Sequence, residues 1–132
     1  MALVDIDKGL VQKVIDGNYG LDIAHENLDF EPSDNKYLEL NIYSNEVRAL
    51  SINDSNQVNG IFRIKINYPS GTGAIACKTK ADEILSDFSI GERIVYNNQV
   101  VTIRSFDRKN AVNDDGWYSI VITLYFIAVL TR

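Results

Sequence analysis

The residues with the clearest chemical potential sit at a strand-to-helix turn. Ser70-Gly71-Thr72-Gly73 leads into a helical stretch that contains Lys78-Thr79. A phosphate-cradling loop would use such a turn, but it needs glycine directly before the lysine and again six residues before it. Cys77 and Thr72 hold those positions, so the pattern fails twice. A tight turn whose glycines take positive φ accounts for the composition.

Cys77 and His25 are the only thiol and the only imidazole. Nucleophilic cysteine chemistry would need both, with a third group to orient the base. Cys77 falls in mid-helix on an apolar stripe, not at a helix N-terminus where a thiol pKa drops. A small core thiol and a strand histidine are the simpler reading. Asp114-Asp115-Gly116 offers half of a calcium loop, but Ile120 to Ile122 occupy the place where a closing Glu is required. One Cys and one His fall short of the roughly four ligands of a structural zinc site. No catalytic, cofactor-binding or metal-ligating residue is therefore expected. A small nucleotide- or metabolite-binding enzyme built on the Ser70 to Thr79 turn remains the alternative from another class.

The elements that would position any site follow from periodicity. Ile6, Leu10, Val11, Val14 and Ile15 share one face of a helix that Asp5 can cap and Gly17 can stop. A short strand around Leu21 to Glu26 follows, then the breaker cluster Glu31 to Asn35. Tyr37 to Tyr43 alternates, with Leu38, Leu40 and Ile42 on one side. Ser44 to Asn59 is polar and reads as a hairpin tip or loop. Phe62, Ile64, Ile66 and Tyr68 alternate in the next strand. Ala74, Cys77, Ala81, Ile84, Leu85 and Phe88 trace a second helical stripe. Arg93 to Tyr96 and Val100 to Phe106 flank Asn97-Asn98 as a hairpin. Asp107 to Gly116 reads as a polar loop, and Trp117 to Leu130 as one long strand.

Strands arrive in runs joined by turns, so the expected fold class is α+β: a mostly antiparallel β-sheet with two helices packed on one face. The 132 residues suit a single domain, 1–132, without staples. No signal peptide is expected from Met1 to Asp7, and the longest apolar run, Ile120 to Leu130, is about half a membrane span. Thirteen basic against eighteen acidic side chains give −5, which argues against sequence-independent DNA binding.

The last strand carries a further expectation. Its second half is apolar on both faces, with Leu124, Phe126, Ala128 and Leu130 against Tyr125, Ile127 and Val129. Two helices can cover one face of a small sheet. The other face must be covered too, because bare apolar surface aggregates. A second subunit is the favoured cover. Seven tyrosines, most of them on strands, suit an assembly interface equally well as an exposed sheet face.

His25-Glu26-Asn27-Leu28-Asp29-Phe30-Glu31-Pro32 resembles the Glu-Asn-x-x-Phe-x-Pro stretch of a small family encoded in tailed-bacteriophage genomes. Gly60-Ile61-Phe62, Tyr68-Pro69-Ser70-Gly71-Thr72-Gly73, the Ala81-Asp82 helix ending at Phe88, and Gly116-Trp117-Tyr118 follow in the family's order. The likeness spans roughly residues 5 to 130. An aromatic residue often precedes the Glu-Asn pair, where this chain has His25.

The family is that of the tail terminator, or tail completion, proteins of long-tailed phages. The resemblance implies an α+β domain without catalytic residues, six copies of which form a ring that caps the finished tail tube and meets the head connector. It places the protein at the head-proximal end of the virion tail, with assembly in the host cytoplasm. A neighbouring neck or tube protein is the alternative within that class. Asn27, Phe30, Tyr125, Ile127, Val129, Asp114 and Asp115 are the candidate subunit or tube contacts. The acidic balance suits a lumen through which DNA slides without specific binding. No cofactor is expected.

Overall fold

The computed structural model describes residues 3–17, 19–24, 36–50, 55–69, 71, 74–114 and 116–131. Helix α1 (Leu3–Gly17) is followed by strands β1 (Asp22–Ala24), β2 (Tyr37–Leu50) and β3 (Ser55–Pro69). Helix α2 (Ala74–Asp87) precedes β4 (Arg93–Tyr96), β5 (Gln99–Asp114) and β6 (Trp117–Thr131). The strands form one sheet in the order β1-β2-β3-β6-β5-β4. Only the β1–β2 pair is parallel, and the fold is α+β as the run of elements implied.

Alternation decides which face is buried. Phe62, Ile64 and Ile66 of β3 stand opposite Leu124, Ile122 and Ile120 of β6, and all six are fully buried or nearly so. Leu38 and Leu40 of β2, Ile94 of β4, and Val101 and Ile103 of β5 continue that face. Ile6, Leu10 and Val14 of α1 and Cys77, Ala81 and Ile84 of α2 close over it as one cluster. Helix α1 lies against β4 and β5, and α2 against β3 and β6, so both helices share one face. Gly9, which costs helix propensity, sits where an added Cβ would come within 3.0 Å of the Tyr96 Cβ, so its absence lets α1 approach β4.

Polar ties hold α2 to the sheet and to the segment that follows α1. The Arg108 guanidinium of β5 reaches Asp82 of α2 at 2.9 Å, and Tyr19 donates to the Asp87 carboxylate at 2.6 Å. Lys80 donates to the Tyr19 carbonyl at 2.8 Å. Asn97 and Asn98, with φ of 52° and 69°, make the β4–β5 turn of the kind that twist-matched hairpins favour.

Two segments differ from their sequence reading. Ser44 to Leu50 and Ser55 to Asn59, read as a hairpin tip or loop, are strand, because β2 and β3 pair from Glu46↔Asn59 to Leu50↔Ser55 beyond a bulge after Ser44, and residues 51–54 lie outside the described residues. Asp107 to Asp114 is likewise part of β5, paired to β6 up to Asp114↔Trp117. Both stretches lack apolar alternation, and the ladder to the next strand of the hairpin supplies what side-chain pattern does not.

Gly60 opens the long part of β3. A Cβ there would collide with the Phe126 ring and stand 2.7 Å from the Tyr43 carbonyl oxygen, which is backbone and cannot swing away. Gly60→Ala should therefore cost about 1–3 kcal/mol by overpacking. An unchanged urea midpoint would show that the strands part there at no cost.

Candidate functional site

Cys77 sits on the inner side of α2, fully buried, with its Sγ 4.0 Å from the Ile66 carbonyl oxygen. Burial pushes its thiol up to about 11, against smaller opposing effects of the Arg108 charge and a backbone hydrogen bond at Ile120. At neutral pH it is a protonated core group and no nucleophile. Lys78 and Thr79 project from the exposed side of α2. His25 lies outside the described residues.

The raised thiol has a consequence for stability. Its folded value lies above the unfolded one, so its contribution is complete at low pH and shrinks as pH climbs from about 9 toward 11. Burial also raises Tyr19, Tyr37 and Tyr68, with carboxylate neighbours adding to the effect at Tyr19 and Tyr37 and the Cys77 thiolate and then Glu83 adding to it at Tyr68, so they act in the same direction above pH 10. The Cys77 part amounts to roughly 2 kcal/mol at pH 10.5. A Cys77→Ala variant should show a shallower alkaline loss than wild type in urea titrations. Parallel profiles for the two proteins would contradict this assignment.

The side of the sheet away from the helices is the other large surface, and it divides into three zones along the strands. At one end Tyr37 of β2 and Trp117 of β6 meet edge to face at 5.0 Å between ring centroids. Beside them Ser119 donates to the Asn67 side-chain oxygen at 2.7 Å, which satisfies two buried polar groups. In the middle lies a polar hollow of about 410 Å³. Glu39 and Asn41, Arg63 and Lys65, Val121 and Thr123, and Lys109 line it from β2, β3, β6 and β5 respectively. Arg63, Lys65 and Lys109 make no ion pair among the described residues. Arg63 instead lies over the Tyr43 ring, 5.8 Å from its centroid.

The third zone is apolar. Tyr43, Ile61 and Tyr125 stand side by side across β2, β3 and β6, and Ile127 and Val129 continue along β6. Tyr43, Tyr125 and Val129 are 45%, 40% and 50% exposed, and Val95 of β4 is 64% exposed. Contiguous apolar surface of this kind marks an interaction site more often than an isolated exposed side chain does.

The sequence-derived candidates therefore part company. Tyr125, Ile127 and Val129 share the apolar zone. Asp114 ends β5 opposite Trp117, twelve positions away along β6 from Val129, or roughly 40 Å. Asn27, Phe30 and Asp115 lie outside the described residues. Tyr43, Ile61 and Val95 were not among the candidates, although the alternation of Tyr37 to Tyr43 already set Tyr43 opposite the core side.

The family model described as phage tail terminator protein matches residues 6–126. No curated protein matches the chain. A solved structure superposes with a TM-score of 0.80 over 97% of this chain and 96% of the other, at 18% identity, which speaks to the fold alone. The family match runs across both helices and nearly all of the described sheet, and it leads to one assignment: the chain belongs to the phage tail terminator proteins, a structural family of the virion tail.

Proposed function

We propose that six copies of this chain form a ring that caps the head-proximal end of the tail tube, stops further addition of tube subunits and offers its other side to the head connector. The action is stoichiometric: contact surface and geometric match do it, and no bond is made or broken. DNA passes through the ring without sequence readout. Assembly takes place in the host cytoplasm and the product resides in the virion.

The family match supports this reading, and the observation that carries it is the unhelical side of the sheet. A domain that works alone has no use for an exposed Tyr43-Tyr125-Val129 zone, whereas a ring or cap needs one patch that meets a different patch on its neighbour. Tyr125, Ile127 and Val129 are its contact residues in this proposal. Purified protein added to polymerising tube subunits tests it. Tube length should fall as the chain is added, and native mass of the capping species should be six subunits. Tubes of unaltered length would refute capping, and a capping species of another subunit number would refute the hexamer.

A further inference from the structure

The two borders of the sheet are protected only in part, and at opposite corners. β1 covers the outer border of β2 from Tyr37 to Glu39. β4 covers β5 from Gln99 to Thr102, and Gly91 and Glu92 bond to Ile103 just beyond. Among the described residues, β2 has no outer strand from Tyr43 to Leu50, and β5 has none from Arg104 to Asp114. Such stretches of unpaired N–H and C=O groups are templates for another strand.

The geometry points to a second copy of this chain as that strand: β2 of one subunit pairs with β5 of the next, antiparallel, so that the sheets of neighbours join. This rests on the ring proposed above and says how its subunits meet. Direction fits, because β2 and β5 run oppositely in one sheet and continuing it by translation sets them antiparallel. Position fits as well. The free part of β2 lies at the Ala128 end of β6, and the free part of β5 at the Trp117 end, so β1 and β4 stay clear of the joint.

The offset this demands is close to the one a closed ring needs. Pairing the whole free part of β2 with β5, bulge against bulge, displaces neighbours by about six to seven residues, or roughly 20–23 Å along the strands. Each subunit adds four long strands, about 19 Å across. The resulting slope is roughly 46–50°, just above the usual tilt at which sheets close on themselves. Both borders are also bulged, after Ser44 in β2, and between Ile103 and Ser105 and again between Lys109 and Val112 in β5. Kinked borders resist chance pairing with flat strands, and a border kinked at the matching level pairs along its length.

Hydrogen exchange at single-residue resolution, on the free chain and on the assembled species of verified mass, tests the joint. Alternate amides within 43–50 and 104–114 should slow at least about 100-fold on assembly, because every second N–H already bonds inward. A six-subunit assembly in which either border exchanges as in the free chain overturns the inference and leaves the ring standing. A chain that stays monomeric both free at high concentration and on tubes overturns ring and joint together.

Discussion

Phage lacking the native protein and supplied with a Tyr125→Glu, Val129→Glu double variant should fail to make infectious particles, although the variant folds. Both side chains are about half exposed and neither belongs to the buried cluster, so the free chain should melt within a few degrees of wild type. Their loss is felt only where the apolar zone is covered. An aromatic or aliphatic anchor buried at an interface contributes on the order of 2 kcal/mol, and carboxylates there add a desolvation cost. Two anchors together weaken the contact by roughly 1,000-fold. Complementation titre and thermal melting, measured on the same variant, separate this from simple unfolding. A folded double variant that complements as wild type would remove the apolar zone from the account.

The largest effect on stability is expected at Phe62. It is fully buried at the centre of β3, stands opposite Leu124 and meets the Phe88 ring edge to face at 6.0 Å between centroids. That contact ties the middle of the sheet to the residue just past α2. Phe62→Ala removes the ring and leaves a cavity that rigid strands on both sides cannot close, at about 3–5 kcal/mol. For a chain of this length the melting temperature should drop by roughly 10–20 °C. The Phe62→Ala, Phe88→Ala pair should be less than additive by about 0.5–1.5 kcal/mol, since the ring contact is lost once. Strict additivity would show that the two rings stabilise the core separately.

Much of the core was legible because it obeys simple periods. Cys77, Ala81, Ile84 and Phe88 are buried as their helical stripe required, and the alternation of Phe62 to Tyr68 sorts the faces of β3. The Asn97-Asn98 turn was legible because few other residues accept positive φ twice in succession. The long ends of β2, β3 and β5 were not. Asn45 to Leu50, Ser55 to Gln57 and Asp107 to Asp114 hold no period of two, and their strand character comes from pairing with the next strand of the same hairpin. Net charge likewise gives no face. The chain sums to −5, yet the hollow gathers Arg63, Lys65 and Lys109 beside Glu39.

The candidate contacts show the same division. Tyr125, Ile127 and Val129 could be read as a patch because an apolar residue that faces away from an apolar neighbour must meet something else. Tyr43 and Ile61 join them only through strand register across β2, β3 and β6, which no local pattern encodes. Asp114 looked like a loop residue and is the last position of a strand.

Electron microscopy of lysates from phage that lack this protein addresses termination most directly. Headless tails of irregular, excessive length should accumulate, and supplying the wild-type chain should restore uniform length and joined heads. Tails of normal length that carry heads in its absence would contradict the claim that this chain ends the tube.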